Sequence, residues 1–71
     1  MVKVYVQITA FDKNSADNIG RSIVADNKES FNKQVEEFEN EIPFTKFYVE
    51  MVADDVLTDE ELEIVEDHDV N

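Results

Sequence analysis

The N-terminal residues alternate between apolar and polar or aromatic side chains. The aliphatic members of this pattern are Val2, Val4, Val6 and Ile8. A period of two is typical of a strand that places one side against a core and leaves the other half-exposed. The pattern therefore predicts a first strand near the N-terminus. The short polar residues that follow, within residues 11–18, predict that this strand ends there and that the chain reverses.

The next segment is short and contains Gly20, the only glycine of the chain. We interpret residues 21–25 as a second strand, antiparallel to the first. A helix is the alternative, although Gly20 in its middle would cost about 1 kcal/mol relative to alanine. The apolar face of that helix would consist of Ala16, Ile19, Ile23 and Val24.

A helix is predicted after Asp26, which has capping-box spacing to Glu29. Apolar residues then recur every three or four positions, as a helix packed on a sheet requires. They are Phe31, Val35, Phe38 and Ile42. The outward side of the helix would carry Lys33, Glu36, Glu37 and Asn40. Pro43 predicts its end, because proline cannot continue the hydrogen-bond ladder.

Residues 44–52 are rich in β-branched and aromatic side chains and predict a third strand. Its core-facing side chains would be Phe47, Val49 and Met51. The order strand, strand, helix, strand predicts the α+β class, as a small two-layer domain with one helix on one side of a sheet. A chain of 71 residues has room for one core, so residues 1–71 are predicted to form a single domain.

The last part of the chain, residues 53–71, is an acidic C-terminal segment. Thr58 and Glu61 again have capping-box spacing, and acidic residues suit the first turn of a helix. Residues 59–66 are therefore compatible with a short helix. The apolar residues of this stretch fit a final strand equally well, and the pattern leaves both open: Leu62, Ile64 and Val65.

Charge is the main functional indication. Eighteen Asp and Glu residues oppose six Lys and Arg residues, for a formal net charge of -12. Such a chain attracts basic proteins and repels nucleic acid and anionic membranes. No apolar stretch approaches the roughly 18 residues of a membrane span, and cysteine is absent. We therefore expect a cytoplasmic protein without disulfides or thiolate metal sites.

No residues have the pattern of a catalytic site, so the sequence predicts a protein that is not an enzyme and has no cofactor. The only histidine, His68, lies between two aspartates near the end of the chain and is predicted to be an exposed tail residue. Asp67, Asp69 and Asn71 match the opening of an EF-hand loop. The glycine and the closing glutamate of that loop are missing, so no metal site is predicted.

The acidic residues suggest a DNA mimic. A net charge of about 2 to 8 is enough to keep a small domain soluble, and a larger excess destabilises the compact state by self-repulsion. Carboxylates can instead take the place of DNA phosphates in front of lysine and arginine. A homodimer would lengthen the array and add burial to a small core. The predicted partner-binding residues are Asp54, Asp55, Asp59, Glu60, Glu63, Glu66 and Asp67, with Glu36 and Glu37 as a second patch.

A second hypothesis is an adaptor module that binds a partner through the exposed side of the sheet. Tyr5 and Tyr48 would be its anchors, because tyrosine is enriched at protein interfaces. Their predicted polar neighbours are Lys3, Gln7, Lys46 and Glu50.

In its size, its acidity and its acid-rich residues 54–69, the chain resembles the phage-encoded acidic DNA-mimic proteins that disable host factors. Within that group it is most similar in character to the phage inhibitor of the bacterial nucleoid protein HU. The resemblance implies a homodimer whose carboxylates fill the DNA-binding cleft of a basic host protein. Related acidic inhibitors act on RNA polymerase, uracil-DNA glycosylase, CRISPR nucleases or restriction enzymes, and these targets stay open.

Overall fold

Three strands and two helices form an α+β arrangement of two layers, as the sequence predicts. The structure is a computed structural model that describes residues 2–66 and residue 68. The elements are β1 (Val4–Asp12), β2 (Asn18–Ala25), α1 (Lys28–Glu41), β3 (Phe47–Ala53) and α2 (Asp59–Ile64).

The sheet has the order β2-β1-β3, and both pairings are antiparallel. β1 is therefore the central strand, and α1 connects the two edge strands. One face of the sheet, the covered face, packs against the helices and contains the core. The other, the open face, carries alternate residues of each strand, which the register places side by side: Tyr5, Gln7, Thr9 and Phe11 with Val24, Ser22, Gly20 and Asn18 on β2, and Tyr48, Glu50 and Val52 on β3.

The turn between β1 and β2 is tighter than predicted and spans residues 13–17. Asp12 closes it. One carboxylate oxygen accepts a bond from the Asn14 N–H at 2.9 Å, and the other accepts from the Ser15 hydroxyl at 2.8 Å. The Asp12 N–H donates to the Asp17 carbonyl at 3.0 Å. Because of these bonds, β1 extends to Asp12 and β2 begins at Asn18. Both strands therefore reach into residues 11–18, which were predicted to form the loop.

β2 confirms the strand interpretation over the helical alternative, and it begins at Asn18, three residues before the predicted start. One of its four residues on the covered side is Arg21, whose guanidinium lies 5.5 Å from the ring centre of Phe38 and pairs with Glu41. The aliphatic stem of arginine can line a core while its charge stays in water. A charged residue therefore interrupts the apolar pattern without breaking the strand.

The cap of α1 differs from the prediction. Asn27 is the N-cap, and its side-chain oxygen accepts a bond from the Ser30 N–H at 2.7 Å. Asp26, the predicted cap, lies one residue outside and accepts a bond from the Asn27 side-chain amide at 2.8 Å. Both residue types cap helices well, and the stripe that starts at Phe31 fits either start. The helix ends before Pro43, as predicted.

The core contains residues of all five elements, among them Val4, Ile23, Phe31, Met51 and Ile64. Three members of the predicted helical stripe are buried, and the fourth, Ile42, is half-buried. The outward residues of α1 are exposed as predicted: Lys33, Glu36, Glu37 and Asn40.

The C-terminal segment forms a helix. Thr58 and Glu61 make both bonds of the capping box, and α2 ends at Ile64, two residues before the predicted limit. Ile64 and Val65 are buried and fix this helix to the core. β3 is also displaced from its predicted range, since residues 44–46 precede it and Ala53 belongs to it. No helix within the described residues is long and apolar enough to cross a membrane.

Candidate acidic surface

None of the carboxylates in the described part of the chain is buried. Eight of the nine predicted partner-binding residues lie within the described residues, and all eight side chains are exposed. Asp67 lies outside them. The exposed predicted residues, which we call the acidic surface, are Asp54, Asp55, Asp59, Glu60, Glu63 and Glu66 on and before α2, with Glu36 and Glu37 on α1.

The acidic residues in the first turn of α2 have two different roles: one caps the helix and the others face solvent. Glu61 is half-buried and turns back to accept a bond from the Thr58 N–H at 3.1 Å, so it holds the first turn of the helix. Asp59 and Glu60 share that first turn and point to solvent. Negative charge at this end of a helix is favourable, because the partial charge of the helix dipole is positive there. The cap therefore fixes the helix turn that carries these two carboxylates, at little electrostatic cost.

Two shallow surface depressions flank α2. Val2, Lys3, Asp59 and Glu60 line the first. The second adds residues from the start of α1 and the end of α2, and its charged lining residues are Asp26, Lys28, Glu60 and Glu63. Glu60 thus borders both. Asp26 joins the acids of α2 only through the tertiary fold, which is why spacing along the chain did not predict it.

Glu66 differs from the other predicted residues because its carboxylate pairs with the Lys28 ammonium. The side chains are 54% and 41% exposed, respectively. Exposed pairs of this kind contribute about 0 to 1 kcal/mol to stability. The pair connects the end of α2 to the start of α1 and partly neutralises Glu66, so this residue contributes less to the charge of the acidic surface than predicted.

The two residues of the predicted patch on α1 have different surroundings. Glu36 borders a third shallow depression together with Glu39 and His68, while Glu37 is exposed outside it. His68 is not the exposed tail residue that the sequence predicted. It is half-buried, its Nε2 atom lies 2.9 Å from the Asn32 side-chain oxygen, and its ring centre lies 5.3 Å from that of Phe31.

The open face offers a different kind of surface. Tyr5 and Tyr48 are 55% and 47% exposed, so both predicted anchors face solvent. They are not neighbours, because Tyr5 pairs with Val24 on β2 and Tyr48 pairs with Phe11 on β1. The Phe11 and Tyr48 rings stack with centroids 5.1 Å apart. Each tyrosine therefore belongs to a separate half of this face.

Within residues 2–66 and 68, no three His, Asp or Glu side chains are grouped so that they could hold a metal ion. The chemistry of the acidic surface is that of exposed carboxylates, which pair with cations and accept hydrogen bonds.

Comparisons with protein-family models, with curated proteins and with solved structures find no match for this chain. The basis for a functional proposal is therefore the arrangement of its own residues.

Proposed function

We propose that this protein is an acidic DNA mimic that binds the DNA-binding surface of a basic host protein of the HU type and blocks its binding to DNA. It acts in the cytoplasm by occupying its partner and catalyses no reaction. The observation that carries this proposal is the uncompensated charge. All 16 carboxylates of the described residues are at least partly exposed, and the ion pairs among these residues engage only Glu41 and Glu66.

The charge density supports mimicry by more than one copy. The protein is 39 Å long, and duplex DNA of that length carries roughly 23 phosphate charges at one per 1.7 Å. The net charge of -12 is about half of this number. Two copies packed side by side, rather than end to end as a longer array, would carry -24 over the same 39 Å and would match the duplex. A homodimer is therefore part of the proposal.

Other targets in the same class fit the same surface. Lysine and arginine side chains donate to carboxylate and phosphate oxygens alike, so an RNA polymerase, a uracil-DNA glycosylase, or a CRISPR or restriction nuclease could be bound in the same way. All these complexes would weaken steeply with salt, because screening acts on every charge pair at the rim of the interface.

The test is competition between this protein and labelled duplex DNA for purified HU, after capture of partners from bacterial lysate at low and moderate salt. A variant with Asp54→Asn, Glu60→Gln and Glu63→Gln removes three charges from the acidic surface. The matched control, with Asp17→Asn, Glu29→Gln and Glu39→Gln, has the same net charge of -9, since each removes three from -12. We expect the first variant to lose competition and the control to retain it.

Equal loss in both variants would mean that net charge alone drives the binding, and a wild-type protein that never displaces DNA would refute the proposal.

The adaptor hypothesis is favoured by one observation, the exposure of both Tyr5 and Tyr48 on the open face. The double variant Tyr5→Ser and Tyr48→Ser separates the two functions, because it leaves the acidic surface intact. Loss of a salt-resistant partner in this variant would favour the adaptor.

A further inference from the structure

The two edges of the sheet differ in how their backbone groups are used. In an antiparallel sheet, alternate residues of an edge strand direct both N–H and C=O away from the neighbouring strand. A hydrogen bond between two opposite residues shows which residues of each strand direct their N–H and C=O toward the neighbouring strand. The Lys13 N–H donates to the Lys46 carbonyl at 3.0 Å, and the Asp12 N–H donates to the Asp17 carbonyl at 3.0 Å. β1 thus bonds to β3 through its odd residues and to β2 through its even residues.

The β2 edge is occupied by the protein itself. By this alternation the outward residues of β2 are the even ones, and the Gln34 side-chain amide of α1 donates to one of them, the Val24 carbonyl, at 2.9 Å. α1 packs along β2. The helix layer therefore lies over this side of the sheet and caps part of its edge.

The β3 edge is bare in the described part of the chain. β3 pairs with β1 alone, and its outward backbone groups belong to Phe47, Val49, Met51 and Ala53. The register between β1 and β3 runs without a bulge from residue 47 to residue 53, and the strand contains neither proline nor lysine. Bulges, prolines and charged side chains are the usual devices that limit pairing at a free edge. β3 has neither a bulge nor a proline, and its one charged residue is Glu50.

The side chains next to this edge are also incompletely covered. Phe47 and Val49 point to the covered face, yet they are only half-buried, whereas Met51 is buried. An added strand with apolar residues on the same side would extend the covered face over these two side chains. The same edge thus lacks both a backbone partner and a side-chain partner.

Charge decides what kind of strand fits. Glu50 is the central residue of β3, and Asp54 and Asp55 follow the strand directly. If a second copy paired antiparallel with β3, the two Glu50 side chains would lie opposite or diagonal to each other, and like charges at those positions are destabilising. A strand with lysine or arginine on the open-face side would instead pair with Glu50.

We propose that the free edge of β3 binds an extended segment in which apolar and basic residues alternate, by adding it to the sheet as a fourth strand. Main-chain hydrogen bonds would supply affinity, and the alternating side chains would supply specificity. The inference rests on the proposed function in one respect, since it assigns this segment to the same basic partner. It adds to the charge contacts of the acidic surface a directional contact that charge alone cannot make.

The experiment is amide hydrogen exchange by NMR on the isotope-labelled protein with a capped peptide of alternating lysine and valine, as long as the seven residues of β3. We expect exchange at the outward amides of β3 to slow by about tenfold or more at saturating peptide. The outward amides of β2 at Gly20, Ser22 and Val24 are the internal control and should be unchanged. A fully N-methylated peptide of the same charge should not protect β3, because its methyl groups prevent the close approach of the two strands and it has no N–H to donate to the β3 carbonyls.

Two results would overturn strand addition. One is binding of both peptides with unchanged exchange at β3, which would leave the acidic surface of the proposed function standing. The other is protection of β3 that rises with protein concentration in the absence of peptide, which would make a second copy the occupant. Conversely, protection of β3 by the peptide in a protein that never displaces DNA from HU would refute the proposed function alone.

Discussion

The covered face and the open face are built from the same three strands, yet they have opposite compositions. On β1 the side chains of Val4 and Ile8 are fully buried, whereas that of Tyr5 between them is 55% exposed. The difference arises because successive residues of a strand point to opposite sides and only one side receives the helices. It shows that the helix layer, rather than the sheet, decides which half of the alternating pattern becomes core.

The two sides of the molecule also differ in charge. Among the strand residues that the register places on the open face, Glu50 is the only charged one. The helices on the other side carry the acids of α1 and α2, all at least partly exposed. Burial and charge are thus separated, which lets one small domain keep an apolar core while one side of it stays strongly negative.

The largest effect that tests this comparison is the removal of a core ring. Phe38 is fully buried on α1, and Phe38→Ala should lower the free energy of unfolding by about 3 to 5 kcal/mol through lost burial and the cavity left behind. Tyr5→Ala on the open face should cost less than about 1 kcal/mol. Circular dichroism, recorded without urea and through a urea titration, checks both.

A small domain has little stability to lose, so Phe38→Ala is expected to be largely unfolded even without urea. Phe38→Leu is the companion variant that keeps the chain measurable. A loss for Tyr5→Ala clearly larger than that for Phe38→Leu would break the comparison, because it would mean that something covers the open face in solution.

A smaller effect concerns the helix that creates the covered face. Asn27→Ala removes the side-chain oxygen that accepts the Ser30 N–H and should lower the free energy of unfolding by about 1 kcal/mol. Asp26→Ala should cost only a few tenths, because Asp26 lies outside the helix and contacts the Asn27 side chain. Paired urea titrations of the two variants check the assignment. A larger loss of unfolding free energy for Asp26→Ala than for Asn27→Ala would show that Asp26 is the N-cap.

Most of the fold was predictable because it depends on local periodicity. The alternation around Val6 and the helical stripe through Val35 each indicate an element and its inward side. The capping box at Thr58 indicates only where a helix could begin. The choice between helix and strand for residues 59–66 was not predictable, since Leu62, Ile64 and Val65 fit a short helix and a final strand equally well. The capping box, with both bonds formed in the structure, agrees with the helix.

The rest depends on contacts between residues that are distant along the chain. Three features follow from how the C-terminal segment packs against the start of α1. They are the position of His68 beside Asn32, the pairing of Glu66 with Lys28, and the place of Asp26 beside α2. The spacing of residues along the sequence does not predict such packing. For the same reason, the sequence predicted which residues are acidic and exposed, but it did not predict which of them are neutralised by a neighbour.

The smallest effect is a gain of stability on the open face. Gly20 has no positive φ, and a Cβ atom there would make ordinary contacts of 3.6 Å with the Ile8 carbonyl oxygen and the Thr9 hydroxyl. Gly20→Ala should therefore raise the free energy of unfolding by about 0.5 kcal/mol, mainly by restricting the unfolded chain. For a domain of this size, that corresponds to roughly 2 to 4 °C in Tm.

Differential scanning calorimetry measures the shift. Ala10→Gly makes the opposite change on the covered face, at a fully buried position of β1. A loss at Gly20 as large as that at Ala10 would show that the open face is as tightly constrained as the core, and the contrast between the two faces would fail.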